Sequence, residues 1–439
     1  MTTDSTITAL RARRVWDSRG NPTVEVEVTT AGGAQGRAIA PAGASRGTRE
    51  AVDLRDGGPR LGGMDVRRAV ANVAEEIAPR LIGMDALAQD RIDAAMLALD
   101  PSPQKAWLGG NAMVATSLAV LQAAAAARRV PLWLHLAETG GEVPTLPLPE
   151  IQIFGGGAHA GRRVDVQDFM VMVPGAASFA EALEVTAEIY RAAGARMRAR
   201  GRLAGVADEG GWWPDFASNE EALETLVAAI ADTGERPGER VVISLDVAAS
   251  EFGRDGRYRL ALDGRDLDSD GLAEVLGRWI AAYPIVSVED PLAEDDPAGM
   301  IAFTRRHGDR VQIIGDDYLV TNAALVSQAA GEGACNAVLV KVNQAGTVTE
   351  ALDCLRAARG AGYGTIVSAR SGESEDVAIS HLAVGWAAGQ LKVGSFSRSD
   401  RMAKWNECLR IEEASGSGCF VGGRPLARTW WGRERGVTG

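Results

Sequence analysis

Six apolar segments in the later part of the chain each run into a charged residue. They are VVISLD, ending on Asp246; YPIVSVED, carrying Glu289; VQIIGD, ending on Asp316; AVLVK, ending on Lys341; GTIVSAR, ending on Arg370; and GQLK, ending on Lys392. Runs this continuously apolar suit parallel strands covered on both faces, whereas a half-exposed strand alternates. Successive charged ends lie 43, 27, 25, 29 and 22 residues apart, close to one strand-plus-helix unit each. That rhythm predicts a (β/α) barrel of parallel strands, with functional residues gathered at the C-terminal strand ends. A doubly wound open sheet is the alternative, but no G-x-G-x-x-G follows a first strand.

The earlier part reads differently. Thr23 to Thr29 is TVEVEVT, a strict alternation that gives a strand with one apolar face, and Asn21-Pro22 before it signals a turn. The small, polar stretch Ala40 to Gly47 (APAGASRG) is a loop, and the pattern from Val66 to Ala127 is helical. Glu138 to Pro149, rich in Gly and Pro, is the expected linker. The fold class is therefore α/β: an N-terminal α+β domain over residues 1–140, then a barrel domain over 141–439. Ser178 with Glu181 and Ser218 with Glu221 have capping-box spacing and mark helix starts.

Charge excludes one class of partner. With 46 Lys+Arg against 58 Asp+Glu the chain carries −12, which repels a nucleic-acid backbone. The weakly polar run Ala112 to Ala127 contains Thr116, Ser117 and Gln122, so it is expected to pack as a core helix and not to span a membrane. Cys335, Cys354, Cys408 and Cys419 show no metal or redox spacing and read as reduced thiols. Without an apolar leader, a cytoplasmic location is expected, with neither nucleic acid nor membrane as partner.

In a parallel barrel, Asp246, Glu289 and Asp316 would converge on one rim. Three close carboxylates repel one another unless a cation neutralises them, and hard oxygen donors without His or Cys suit Mg²⁺. The plainer reading is that each acid caps the next helix, but three in successive units make that less economical. Lys341, buried beside a metal, would lose part of its preference for the charged form and act as a base. Arg370 and Lys392 would hold an anion. Together these describe proton abstraction next to a carboxylate on a small phosphorylated acid. Two Gly-rich loops add candidates: Phe154 to Gly161 carries His159, and Ala207 to Pro214 carries Asp208 and Glu209 ahead of two tryptophans, whose apolar faces would raise an acid's pKa. His135, His307 and His381 lie in helical patterns and read as structural.

DSRGNPTVEVEV, GASRG, GNAMVATSLAV, DEGG, SLDVAASEF, SVEDPLAEDD, IGDD, LVKVNQAGT and RSGESED, taken together, resemble the enolase family nearly end to end. The resemblance implies a small α+β domain followed by an enolase-type modified (β/α)8 barrel. It implies a Mg²⁺ ion on Asp246, Glu289 and Asp316, and a second Mg²⁺, joined by Ser45, when substrate is bound. Lys341 matches the base that takes the C2 proton, and Glu209 the acid that helps the C3 hydroxyl leave. Asp168 stands where the family has a catalytic Glu. His159, Gln167, Arg370, Ser371 and Lys392 match substrate-contacting positions. A homodimer or higher homo-oligomer is expected.

The departures are concentrated. The family's QEFM is here Gln167-Asp168-Phe169-Met170, SHRSGE has become Ser368-Ala369-Arg370, and GASTG is GASRG with Arg46. Asp is shorter than Glu by one C–C bond, about 1.5 Å, and Ala369 removes an imidazole. The expected result is room near the phosphate, with Arg46 bringing a positive charge to it. That favours a specialised relative, such as a carboxyphosphonoenolpyruvate synthase, over an ordinary glycolytic enolase that dehydrates 2-phosphoglycerate to phosphoenolpyruvate. A non-catalytic enolase-like binding protein is the reading from another class.

Overall fold

The computed structural model describes residues 3–416 and 418–438; Met1 and Gly439, the outer ends of the two expected domains, lie outside them. The N-terminal part opens with an antiparallel sheet of β1 (Ile7–Trp16), β2 (Pro22–Thr30) and β3 (Gln35–Ile39). The alternation in β2 works as written: Val24, Val26 and Val28 are fully buried. They face the helix Gly110–Arg128, the one helix among the described residues both long and apolar enough to cross a membrane, which is buried along most of its course as a core element. Gly36 allows the close approach of β3, since a Cβ there would lie 2.1 Å from the Ala119 carbonyl oxygen of that helix.

Eight strands close the barrel. They are β4 (Leu148–Gly155), β5 (Asp168–Met172) and β6 (Val242–Asp246), then, after a small exposed sheet of β7 (Gly253–Arg254), β8 (Arg257–Leu260) and β9 (Arg265–Asp268), β10 (Ile285–Glu289), β11 (Gln312–Gly315), β12 (Ala337–Val340), β13 (Gly364–Ser368) and β14 (Gln390–Ser395). Around the barrel the order is β10-β11-β12-β13-β14-β4-β5-β6. Ser178 and Ser218 cap their helices as the spacing predicts, each side chain accepting the backbone N–H of Glu181 or Glu221.

The expected all-parallel barrel needs one correction: β5 runs antiparallel to both β4 and β6. The loop between β4 and β5 holds only a short turn at Gly157–Ala160 in place of a crossover helix, so the chain reverses directly. Two packed helices, Phe179–Ala199 and Asn219–Asp232, then carry the chain out and back to the start of β6, with the Glu209 loop at their turn. Reversal puts the first residue of β5 on the rim where the other strands end. In register, Met172 pairs with Val242, Met170 with Ser244 and Asp168 with Asp246, so polarity rises layer by layer toward that rim.

Candidate active site

At that rim a narrow cavity of about 20 Å³ is lined by Ser45, His159, Gln167, Asp168, Glu209, Asp246, Lys341, Ala369, Arg370, Ser371 and Lys392, among others. Glu289 and Asp316 do not line it and connect to it through two lysines. The Lys392 ammonium sits 2.8 Å from Asp246 Oδ2 and 2.7 Å from Glu289 Oε2, and Lys341 pairs with Asp316. Lys392 differs from expectation in position: β14 continues to Ser395, so the lysine projects inward from mid-strand and does not close it.

Burial dominates the electrostatics. It pushes the Glu289 carboxyl well above the usual range, and repulsion from Asp246 adds to this. Burial also opposes charge on Lys392, but Asp246 and then Glu289 override it and raise its pKa strongly. Burial opposes charge on Lys341 as well, but the Asp316 carboxylate outweighs burial and the net direction is up. For Asp316 burial acts upward, and Lys341 followed by Arg370 brings it below its ordinary value.

The donors fit a hard divalent cation. Glu289 Oε1 is fully buried and has no hydrogen-bond partner among the described residues, and the carboxylates already hold positive charge in the form of two ammonium groups. Among the described residues, Asp246, Glu289 and Asp316 do not bring their oxygens within 4.8 Å of one another, because Lys392 and Lys341 stand between them; Asp290, Asp316 and Asp317 do, as do Asp168 and Glu209 with a nitrogen of His159. Asp290, however, accepts the backbone N–H groups of Asp316 and Asp317 at 3.0 and 2.7 Å, which ties it to shaping the loop; burial and Asp316 push it up to about 8.

Across the cavity, His159 Nδ1 lies 3.3 Å from Asp168 Oδ1 and its Nε2 3.8 Å from Glu209 Oε1. Burial disfavours the imidazolium, but Glu209 and then Asp168 raise the His159 pKa overall. Burial pushes Asp168 up, and Lys392 followed by His159 reverses this and holds it well below the carboxylate range. Gln167 reaches Asp246 Oδ2 at 3.1 Å and Ser45 Oγ at 3.4 Å. Ser371 Oγ accepts the Ala44 N–H at 2.6 Å, fastening the loop that carries Ser45. Of the two tryptophans expected beside Glu209, Trp212 stacks on Tyr190, with ring centroids 4.6 Å apart.

Arg46, also predicted for the site, is left out by the fold. Its side chain is half exposed, 3.9 Å from Asp53, and does not line the cavity. The loop anchor is instead Glu50, which grips Arg370 with both oxygens at 2.9 and 3.1 Å, while Gln344 links Glu50 to Asp316 at 3.2 and 2.8 Å. Glu50, Gln344, Gln152, Asp290 and Asp317 escaped the sequence reading. Asp290 and Asp317 directly follow acids that were singled out. Glu150 and Gln152 interrupt an apolar strand two residues apart, a spacing that puts both on its inner face.

A family model described as the enolase N-terminal domain matches residues 7–136, and one described as the enolase C-terminal TIM barrel domain matches residues 143–429.

Proposed function

The chain belongs to the enolase family, and on that premise we propose that it is a specialised relative of the carboxyphosphonoenolpyruvate synthase kind, acting on a close phosphonate-type analogue of 2-phosphoglycerate or phosphoenolpyruvate. The general chemistry is that of an enolase-superfamily lyase that uses Mg²⁺. Asp246, Glu289 and Asp316 would hold the ion, with Ser45 toward a second. When bound, Mg²⁺ supplies positive charge that competes with the lysines for these carboxylates and stabilises charge growing on the substrate carboxylate. Lys341 takes the C2 proton at Nζ, and Arg370, Ser371 and Lys392 orient the anionic ends. Glu209, with His159 beside it, delivers a proton to the group leaving C3, and Asp168 holds His159 in place for this.

The observation that carries the specialised reading is the wall of the cavity. Ala369 stands there between Ser368 and Arg370, and the short Asp168 lies on the other side of Lys392. A bulkier phosphorus group is accommodated where an imidazole and a longer acid would otherwise stand. The intact acid, base and metal carboxylates favour a second reading, ordinary dehydration of 2-phosphoglycerate. Steady-state formation of phosphoenolpyruvate at saturating Mg²⁺ decides between them. The expected rate is at least about 10²-fold below that of an ordinary enolase, because misplacement by about 1 Å costs that much. An ordinary rate overturns the specialised reading.

A further inference from the structure

We propose that Gln152 is a positioning residue that sets how far Asp168 reaches into the cavity, and so helps choose the group accepted beside Ala369. Gln152 is fully buried on β4. Its Oε1 accepts the backbone N–H of Gly211 at 2.8 Å, two residues beyond Glu209. Only glycine permits this, since a Cβ at 211 would lie 2.4 Å from that oxygen. With its acceptor committed, the amide presents Nε2 to Asp168, and Nε2 can only donate. It does so to Asp168 Oδ1, the same oxygen that His159 Nδ1 approaches at 3.3 Å. The other oxygen, Oδ2, has no hydrogen-bond partner among the described residues and lies 3.3 Å from the Lys392 ammonium on the cavity wall. One uncharged side chain therefore fixes which oxygen of Asp168 is held and which is presented, and joins it to the Glu209 loop.

Gln152 and Asp168 share one fixed span. A Glu at 168 would extend the acid by about 1.5 Å into a position that is wholly buried and already in contact with Gln152. Packed interiors resist an added methylene but tolerate an exchange that conserves volume. Gln152→Asn removes the methylene that Asp168→Glu adds. The positioning stands on these contacts alone; its consequence for substrate choice rests on the specialised-substrate reading.

The test compares the parent chain with Asp168→Glu, Gln152→Asn and the double variant. Thermal midpoints are read without metal or substrate, and kcat and KM are read with 2-phosphoglycerate and Mg²⁺. Each single change is expected to lower the midpoint, and the double variant to recover most of both losses. Its kcat on 2-phosphoglycerate should exceed the parent's by at least about tenfold with KM nearly unchanged, because geometry at the reacting atoms is what improves. Losses that simply add in the double variant overturn the shared span. A recovered midpoint with parental kcat reduces Gln152 to a structural filler and overturns the positioning role. A parent that already dehydrates 2-phosphoglycerate at an ordinary rate removes the specialised reading, while the midpoint coupling still decides the role of Gln152.

Discussion

On one side of the barrel mouth, Asp246 and Glu289 are neutralised by Lys392 and Asp316 by Lys341. On the other side, Asp168 and Glu209 share a single histidine, and Asp168 has one oxygen on the uncharged amide of Gln152 and the other 3.3 Å from Lys392. The two sides respond differently to a change of length. Coulomb attraction falls slowly with distance, so the ion-paired side tolerates small shifts. Hydrogen bonds fail within a few tenths of an ångström beyond their normal range, so the opposite side converts one missing methylene into a different geometry. Two of the residues that depart from the family, Asp168 and Ala369, border that second side, where a small change of length leaves the charge balance intact.

The largest test of this contrast is Lys341→Ala. Exchange of the substrate C2 proton should fall by about 10²- to 10⁴-fold, the contribution of a positioned base. Mg²⁺ affinity by calorimetry should hold or tighten, because Asp316 loses its competing ammonium. Normal exchange would take Lys341 out of the mechanism. Next, Asp316→Ala should weaken Mg²⁺ by about tenfold or more, with fewer oxygens and less negative charge to hold it. An unchanged titration would show that Asp246, Glu289 and Asp316 do not form one site.

A third prediction separates the pH behaviour of the fold from that of the site. His135 lies far along the chain, on the helix Leu132–Gly140; burial, and then Arg128, whose Nη1 is 3.0 Å from its Nδ1, lower its pKa to about 4. The unfolded chain takes up this proton near the ordinary pKa of 6.5 and the native chain refuses it. Stability is therefore full above 6.5 and is lost progressively as pH falls toward 4, by about 1–2 kcal/mol once solvent screening is allowed for. His135→Gln should flatten that slope in denaturant titrations; an identical slope would assign the acid loss to other groups, the site carboxylates foremost. The smallest effect belongs to Arg46→Thr. Its exposed side chain faces Asp53, so affinity for an anionic substrate should change by less than about twofold, as exposed pairs contribute little. A larger loss would mean that the Ser45 loop carries Arg46 inward on binding.

The barrel was legible because its signals are local. Each apolar run, each charged strand end and both capping serines depend on residues within a turn or two of one another. Asp246, Glu289, Asp316, Lys341 and Arg370 could be named for that reason. Arg46 was misplaced because a charge next to a site residue in sequence need not face the site: its neighbour Ser45 is buried while Arg46 points to solvent. Trp212, read as an aromatic neighbour of Glu209, instead packs on a helix whose approach no nearby residue announces.

By itself, the sequence determined the two-part architecture, six of the eight barrel strands and the set of charged groups at the barrel rim, since hydrophobic period and strand-end chemistry are read along the chain. Tertiary structure alone decided that β5 runs backward, that Glu50 grips Arg370 across 320 positions, and that Gln152 holds Asp168 by one oxygen. These depend on which side chains meet when distant strands close a barrel. A hydrogen bond is so sensitive to distance and angle that only the assembled fold can say whether it forms.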